Sequence, residues 1–144
     1  MRYLIHESQL HEARARCEYL YDIFHLYFLP VKPEGSYTPF IPVGGGGEDI
    51  LFITGHTGSV HAYLKDYLNT IPEKKIVITS CMGPSFKKNT SKKAIYVPDV
   101  RKKYCDIRDG QAYGFGFKVS DAELDFYNAY GDIKTRIDKA YTRL

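Results

Sequence analysis

Tryptophan is absent from the 144 residues, methionine occurs twice and cysteine three times. Cys17, Cys81 and Cys105 form an odd set with no CxxC pair and no framework spacing. That excludes a disulfide-built fold and a cysteine-based zinc site, and it points to reduced thiols in a cytoplasmic setting. Long apolar runs are lacking as well. Nothing approaches the roughly 20 residues that a membrane-spanning helix needs, and the opening MRYLIHESQL breaks at His6 and Glu7 before a signal-peptide core forms. No membrane partner is expected. Charge of one sign is scarce too: the formal net charge of +3 is too small to imply a nucleic-acid or membrane partner by itself. Neither the P-loop pattern nor GxGxxG occurs, so no nucleotide cofactor is implied.

What is present is an ordinary globular balance, 44% hydrophobic and 26% charged, on a chain of one-domain size. The 13 Tyr and 8 Phe favour half-buried faces, where a ring packs and a hydroxyl stays wet. The pattern of apolar residues then suggests the elements. Tyr3 to Ile5 is a short first strand. Ser8 caps a helix with a stripe at Leu10, Ala13, Cys17, Leu20, Phe24 and Tyr27, ended by Pro30. Pro33, Pro39, Pro42 and Gly44 to Gly47 make a connector, relieved by an edge strand around Phe40 to Val43.

Ile50-Leu51-Phe52-Ile53 and Lys75-Ile76-Val77-Ile78-Thr79 read as strands buried on both faces, as in a parallel sheet. Between them, Ser59 is expected to cap a helix striped by Val60, Tyr63, Leu64, Tyr67, Leu68 and Ile71 and closed by Pro72. This strand, helix, strand unit makes the two strands parallel neighbours. A further strand fits Ala94 to Val97, stopped by Pro98. A capping box at Ser120 and Glu123 opens one helix, and a last helix carries Ile133, Ile137, Ala140, Tyr141 and Leu144. The fold class is therefore α/β: a single domain over 1–144 with a mainly parallel sheet of about four or five strands flanked by helices, flavodoxin/Rossmann-like or caspase-like.

In such sheets ligands bind outside the carboxyl ends of the strands, where loops and helix N-termini converge. Two turns leave strands at that edge, Gly55-His56-Thr57-Gly58 and Ser80-Cys81-Met82-Gly83. The first reading of this edge is a site for a small anionic, nucleotide- or phosphate-like ligand. Thr54, Gly55, Thr57, Gly58 and Ser59 form a small hydroxyl-rich helix entrance with free N–H groups and a positive dipole. Gly83, Lys87 and Lys88 follow the next strand and complete the set.

The second reading is covalent. A cysteine nucleophile works as its thiolate, and a neighbouring imidazole takes the proton and returns it to a leaving group. An apolar strand ending in a His with glycine close by, followed by an apolar strand ending in Cys-x-Gly, resembles the caspase-like clan of cysteine peptidases over residues 50–83. That resemblance implies His56 as the base, Cys81 as the nucleophile, amides at Gly58 and Gly83 for the oxyanion, and a peptide as substrate.

A third reading is a non-enzymatic protein- or RNA-interaction module. Tyr113-Gly114-Phe115-Gly116-Phe117 resembles the aromatic strand of an RNA-recognition motif. Lys87, Lys88, Lys92 and Lys93, with Arg101, Lys102 and Lys103 against the single Asp99, give the basic stretch that a nucleic acid would use. No metal site is expected. His6, His11 and His25 lack ligand spacing, and His61, five positions after His56, has no carboxylate pattern beside it. Asp106, Arg108, Asp109 and Gly110 read as a mixed-charge loop.

Overall fold

The computed structural model describes residues 2–9, 34–35, 38–44, 49–89, 93–102, 105–108, 111–114 and 133–144. Six strands form one sheet: β1 (Arg2–His6), β2 (Phe40–Gly44), β3 (Ile50–Thr54), β4 (Lys75–Thr79), β5 (Ala94–Pro98) and β8 (Tyr141–Arg143), in the order β2-β1-β3-β4-β5-β8. The inner four are parallel, and antiparallel β2 and β8 close the edges. A separate antiparallel pair joins β6 (Asp106–Arg108) to β7 (Gln111–Gly114). The helices are α1 (Thr57–Tyr67) and α2 (Ile133–Ala140), with 3₁₀ segments at Glu7–Gln9, Leu68–Thr70 and Gly83–Asn89. An α/β architecture with a mainly parallel sheet is thus observed, with more strands than the apolar pattern suggests.

The buried runs behave as parallel-sheet interiors should. All five residues of β3 are buried, as are the last four of β4. Leu51, Ile53, Ile76, Ile78, Ile95 and Val97 point to the face where Val60 and Leu64 of α1 and Phe86 of the 83–89 segment pack on them. On the opposite face Ile50, Phe52 and Val77 are buried too, as the two-residue period of a strand requires.

Three expectations need correcting. The helix after β3 begins earlier than Ser59: His56 is its N-cap, with φ −65° and ψ 148° and no side-chain cap bond. The chain enters the helix directly from the strand end, which leaves Ser59 inside the first turn. The last helix stops at Ala140, because Tyr141–Arg143 turns into β8 and pairs with the free edge of β5. The carbonyls this exposes are met by Lys102 Nζ, which donates to Asp138 O (2.6 Å) and Tyr141 O (2.5 Å), and by Asp99 N–H, which donates to Ala140 O (3.0 Å). Asp106 and Arg108, expected in a mixed-charge loop, lie instead in β6, which pairs antiparallel with β7. The helix expected over 10–27, the connector at 45–48, the Phe115–Phe117 segment and the capping box at Ser120 and Glu123 lie outside the described residues.

The amino edge of the sheet is held by charge. Arg2 Nε donates to Glu73 Oε1 at 2.6 Å and Arg2 Nη2 to Oε2 at 2.9 Å, and Glu73 is only 8% exposed. Lys93 Nζ donates to Ile71 O and Glu73 O. At the carboxyl edge Arg101 grips buried Asp99 in the same bidentate way, at 3.0 and 2.9 Å. Hydrogen bonds from Arg2 hold the Glu73 carboxyl below its ordinary range against the opposing effect of burial, and Arg101 does the same for Asp99. A carboxyl depressed in the folded state contributes stability that is complete above its unfolded value, about 4, and lost as pH falls through the lower folded value. The urea midpoint is therefore expected to drop as pH falls below about 4. Glu73→Gln should lower stability at neutral pH by about 1 kcal/mol, the worth of a charged hydrogen-bonded pair after solvent screening, and should flatten the acid drop.

Candidate functional site

β3 and β4 pair in register, Thr54 opposite Thr79, so the two turns leave the sheet side by side. Counting two residues onward from that pair places His56 and Cys81 at corresponding positions of neighbouring turns. The turns are tied together on both sides of these residues. Ser80 Oγ donates to Gly55 O at 2.5 Å, and Thr57 Oγ1 donates to Cys81 O at 2.7 Å. Beneath them the hydroxyls of Thr54 and Thr79 bond each other at 2.5 Å in the interior. The positions of the two turns are thereby fixed by hydrogen bonds across 24 or 25 residues of sequence.

Cys81 is half-buried and its Sγ lies 3.1 Å from Thr57 Oγ1. Because the Thr57 hydroxyl hydrogen goes to Cys81 O, the thiol is the donor in that contact. His56 is exposed, and its ring makes none of the hydrogen bonds among the described residues. The structure therefore brings Thr57, rather than His56, into direct contact with the sulfur. Catalytic hydrogen bonds are commonly made only once substrate is bound.

The residue after Cys81 adopts a backbone that side-chain-bearing residues avoid. Met82 has φ 55°, the left-handed region, and its side chain is 60% exposed. For a non-glycine residue this costs about 1–2 kcal/mol, and such strain gathers where a fold holds a functional group in place. The turn is clamped from behind. Both the amide and the hydroxyl of Ser85 donate to Met82 O, at 3.0 and 2.6 Å. His61 Nε2 donates to Ser85 Oγ at 2.9 Å, with its ring stacked on Phe86 at 4.0 Å. Gly83 is needed for its lack of a side chain: a Cβ there would lie 2.7 Å from Val97 Cβ.

The other expected ligand residues divide. Thr54 and Gly55 are buried, the first bonded to Thr79 and the second packed against His6 and Phe40, so they hold the turn instead of facing solvent. Gly58 is exposed with open space around it, and Ser59 is half-buried against a second cavity of about 280 Å³ that also touches Phe40, Tyr63 and Tyr67. Lys87 is exposed on the 83–89 segment. The placement of the Lys88 side chain and of Lys92 lies outside the described residues. Lys93 sits at the opposite, amino edge of the sheet, engaged with Ile71 O and Glu73 O. Among the described residues no three metal-ligating side chains come together, and no helix is long and apolar enough to cross a membrane.

Sequence reasoning missed the Thr57–Cys81 contact, the His61–Ser85–Met82 clamp, and a cavity of about 450 Å³ beyond Gly83 whose wall includes Val97 and Leu144. The hydroxyl-rich composition of both turns was the one signal for the first two. The chain matches no family model, no curated protein and no solved structure.

Proposed function

We propose that the protein is a caspase-like cysteine hydrolase that cleaves an acyl bond at the carboxyl edge of β3 and β4, with Cys81 as nucleophile and His56 as base. The observation that carries this is the register of the two strands, which sets His56 and Cys81 on adjoining turns stitched by Ser80 and Thr57. Of the two fold identities the apolar pattern allows, this arrangement favours the caspase-like one.

In the reaction His56 takes the thiol proton as Sγ bonds to the substrate carbonyl carbon. The oxygen becomes an anion held by backbone amides, a role the caspase-like resemblance gives to Gly58 and Gly83. Collapse breaks the bond to the leaving amine or alcohol, which receives the proton from His56 and leaves a thioester on Cys81. Water then attacks the thioester, giving its proton to His56. The acid departs and the thiol is restored. No metal or organic cofactor enters these steps.

A second reading rests on α1. Its N-cap supplies no side-chain bond to the first-turn amides, which leaves a dipole and N–H groups for a small phosphate-like anion beside Gly58. Lys87 would add charge from the next segment. A nucleic-acid or protein partner using the lysine stretch draws less support, because Lys93 faces the other edge and is tied to backbone carbonyls.

The hydrolase reading is tested by alkylation. Iodoacetamide should modify Cys81 at least tenfold faster than Cys17 and Cys105 in the native protein, because an activated thiol reacts as its thiolate. Peptide mapping gives the three rates. Equal rates, or Cys105 fastest, would reject Cys81 as the nucleophile.

A further inference from the structure

We infer that the 450 Å³ cavity beside Gly83 receives a large apolar side chain from the acyl part of the substrate, a Leu-, Met- or Phe-like group. The inference rests on the hydrolase reading of Cys81 and names the substrate class for it. Three observations carry it.

The cavity adjoins the nucleophile. Met82 and Gly83, the two residues after Cys81, form one of its walls. Gly83 lies so close to Val97 that a Cβ would come within 2.7 Å, so the wall between Met82 and Val97 is bare backbone there. The size is right as well. Ligand sites run from about 300 to 1,000 Å³, and this space is larger than one small side chain fills.

The third observation is chemical. Met82, Val97, Val100 and Leu144 give an apolar lining. The charged pair at the rim is already self-neutralised, since Arg101 donates twice to the Asp99 carboxylate and Asp99 is 6% exposed. An acidic substrate group would have to compete with Asp99 for the guanidinium, and a basic one would meet a carboxylate already satisfied. An uncharged apolar group gains from burial without displacing anything, which is worth about tenfold to a hundredfold in affinity for a Leu- or Phe-sized group.

Two measurements on the full chain keep the cavity and the reaction separate. In Cys81→Ala, N-acetyl-phenylalaninamide should shift the methyl NMR signals of Val97, Val100 and Leu144 saturably, whereas N-acetyl-aspartamide should not. Val100→Asp, at an exposed rim position that the fold tolerates, should abolish the shift. In the native protein, Cys81-dependent hydrolysis of N-acetyl-amino-acid nitrophenyl esters should favour Leu and Phe over Asp and Lys by about tenfold or more. Absent methyl shifts, or equal shifts with both amides, overturn the cavity assignment, and so does Cys81-dependent hydrolysis without side-chain preference. Methyl shifts without Cys81-dependent hydrolysis uphold the cavity as an apolar site and reject the hydrolase reading on which its substrate role rests.

Discussion

Replacing His56 with alanine should lower Cys81-dependent ester hydrolysis by about 10²- to 10⁴-fold, the usual contribution of a positioned general base. The fold should be untouched, because His56 is exposed and its ring bonds to nothing else among the described residues. The helix it precedes loses no side-chain cap, since none is made. A fall in rate with an unchanged urea midpoint is the expected pair of results, measured on one preparation. A rate within threefold of the native value would reject His56 as the base.

The largest stability effect is expected at Phe86. Its side chain is fully buried, belongs to the main core cluster and stacks on His61. Phe86→Ala should cost about 3–5 kcal/mol through lost burial and the cavity left behind. Urea titration should show a lower midpoint with an unchanged slope. The substitution also removes the surface on which His61 rests, so the bond from His61 to Ser85 and the grip of Ser85 on Met82 O should loosen with it. A Phe86→Leu variant keeps most of the burial and loses the ring stack. It should recover most of the stability while restoring less of the Cys81 reactivity.

The sequence is most informative where the physics is local. β3 and β4 are legible because a run such as Ile50 to Ile53 has no polar face to give to water, so both sides must be covered. Their parallel pairing follows from the short crossover between them, and the edge positions of His56 and Cys81 follow from that pairing. β2 was visible for a different reason: Pro42 inside a strand belongs at a sheet edge, where β2 lies.

What was hidden depends on contacts distant in sequence. Ile133, Ile137, Ala140, Tyr141 and Leu144 keep helical spacing to the end of the chain. The unpaired edge of β5 outweighs that period and draws Tyr141 to Arg143 into β8. Lys93 follows Cys81 by a dozen positions, but the 83–89 segment has by then carried the chain back across the sheet, which puts Lys93 at the far edge. Ser59 looked like a cap because serine usually is one before an apolar stripe. Here the Thr57 hydroxyl bonds to Cys81 O, and the helix starts three residues earlier than Ser59 suggested. The left-handed Met82 has no sequence signature at all, since glycine, not methionine, is the residue expected there.

Covalent chemistry at Cys81 is the centre of the account, and intact-mass and peptide analysis of the protein mixed briefly with a nitrophenyl acetate ester tests it most directly. One acetyl group on Cys81, formed faster than it is hydrolysed and missing from Cys81→Ala, is the result predicted. Acetylation spread over lysines and all three cysteines, or none at Cys81, would contradict it.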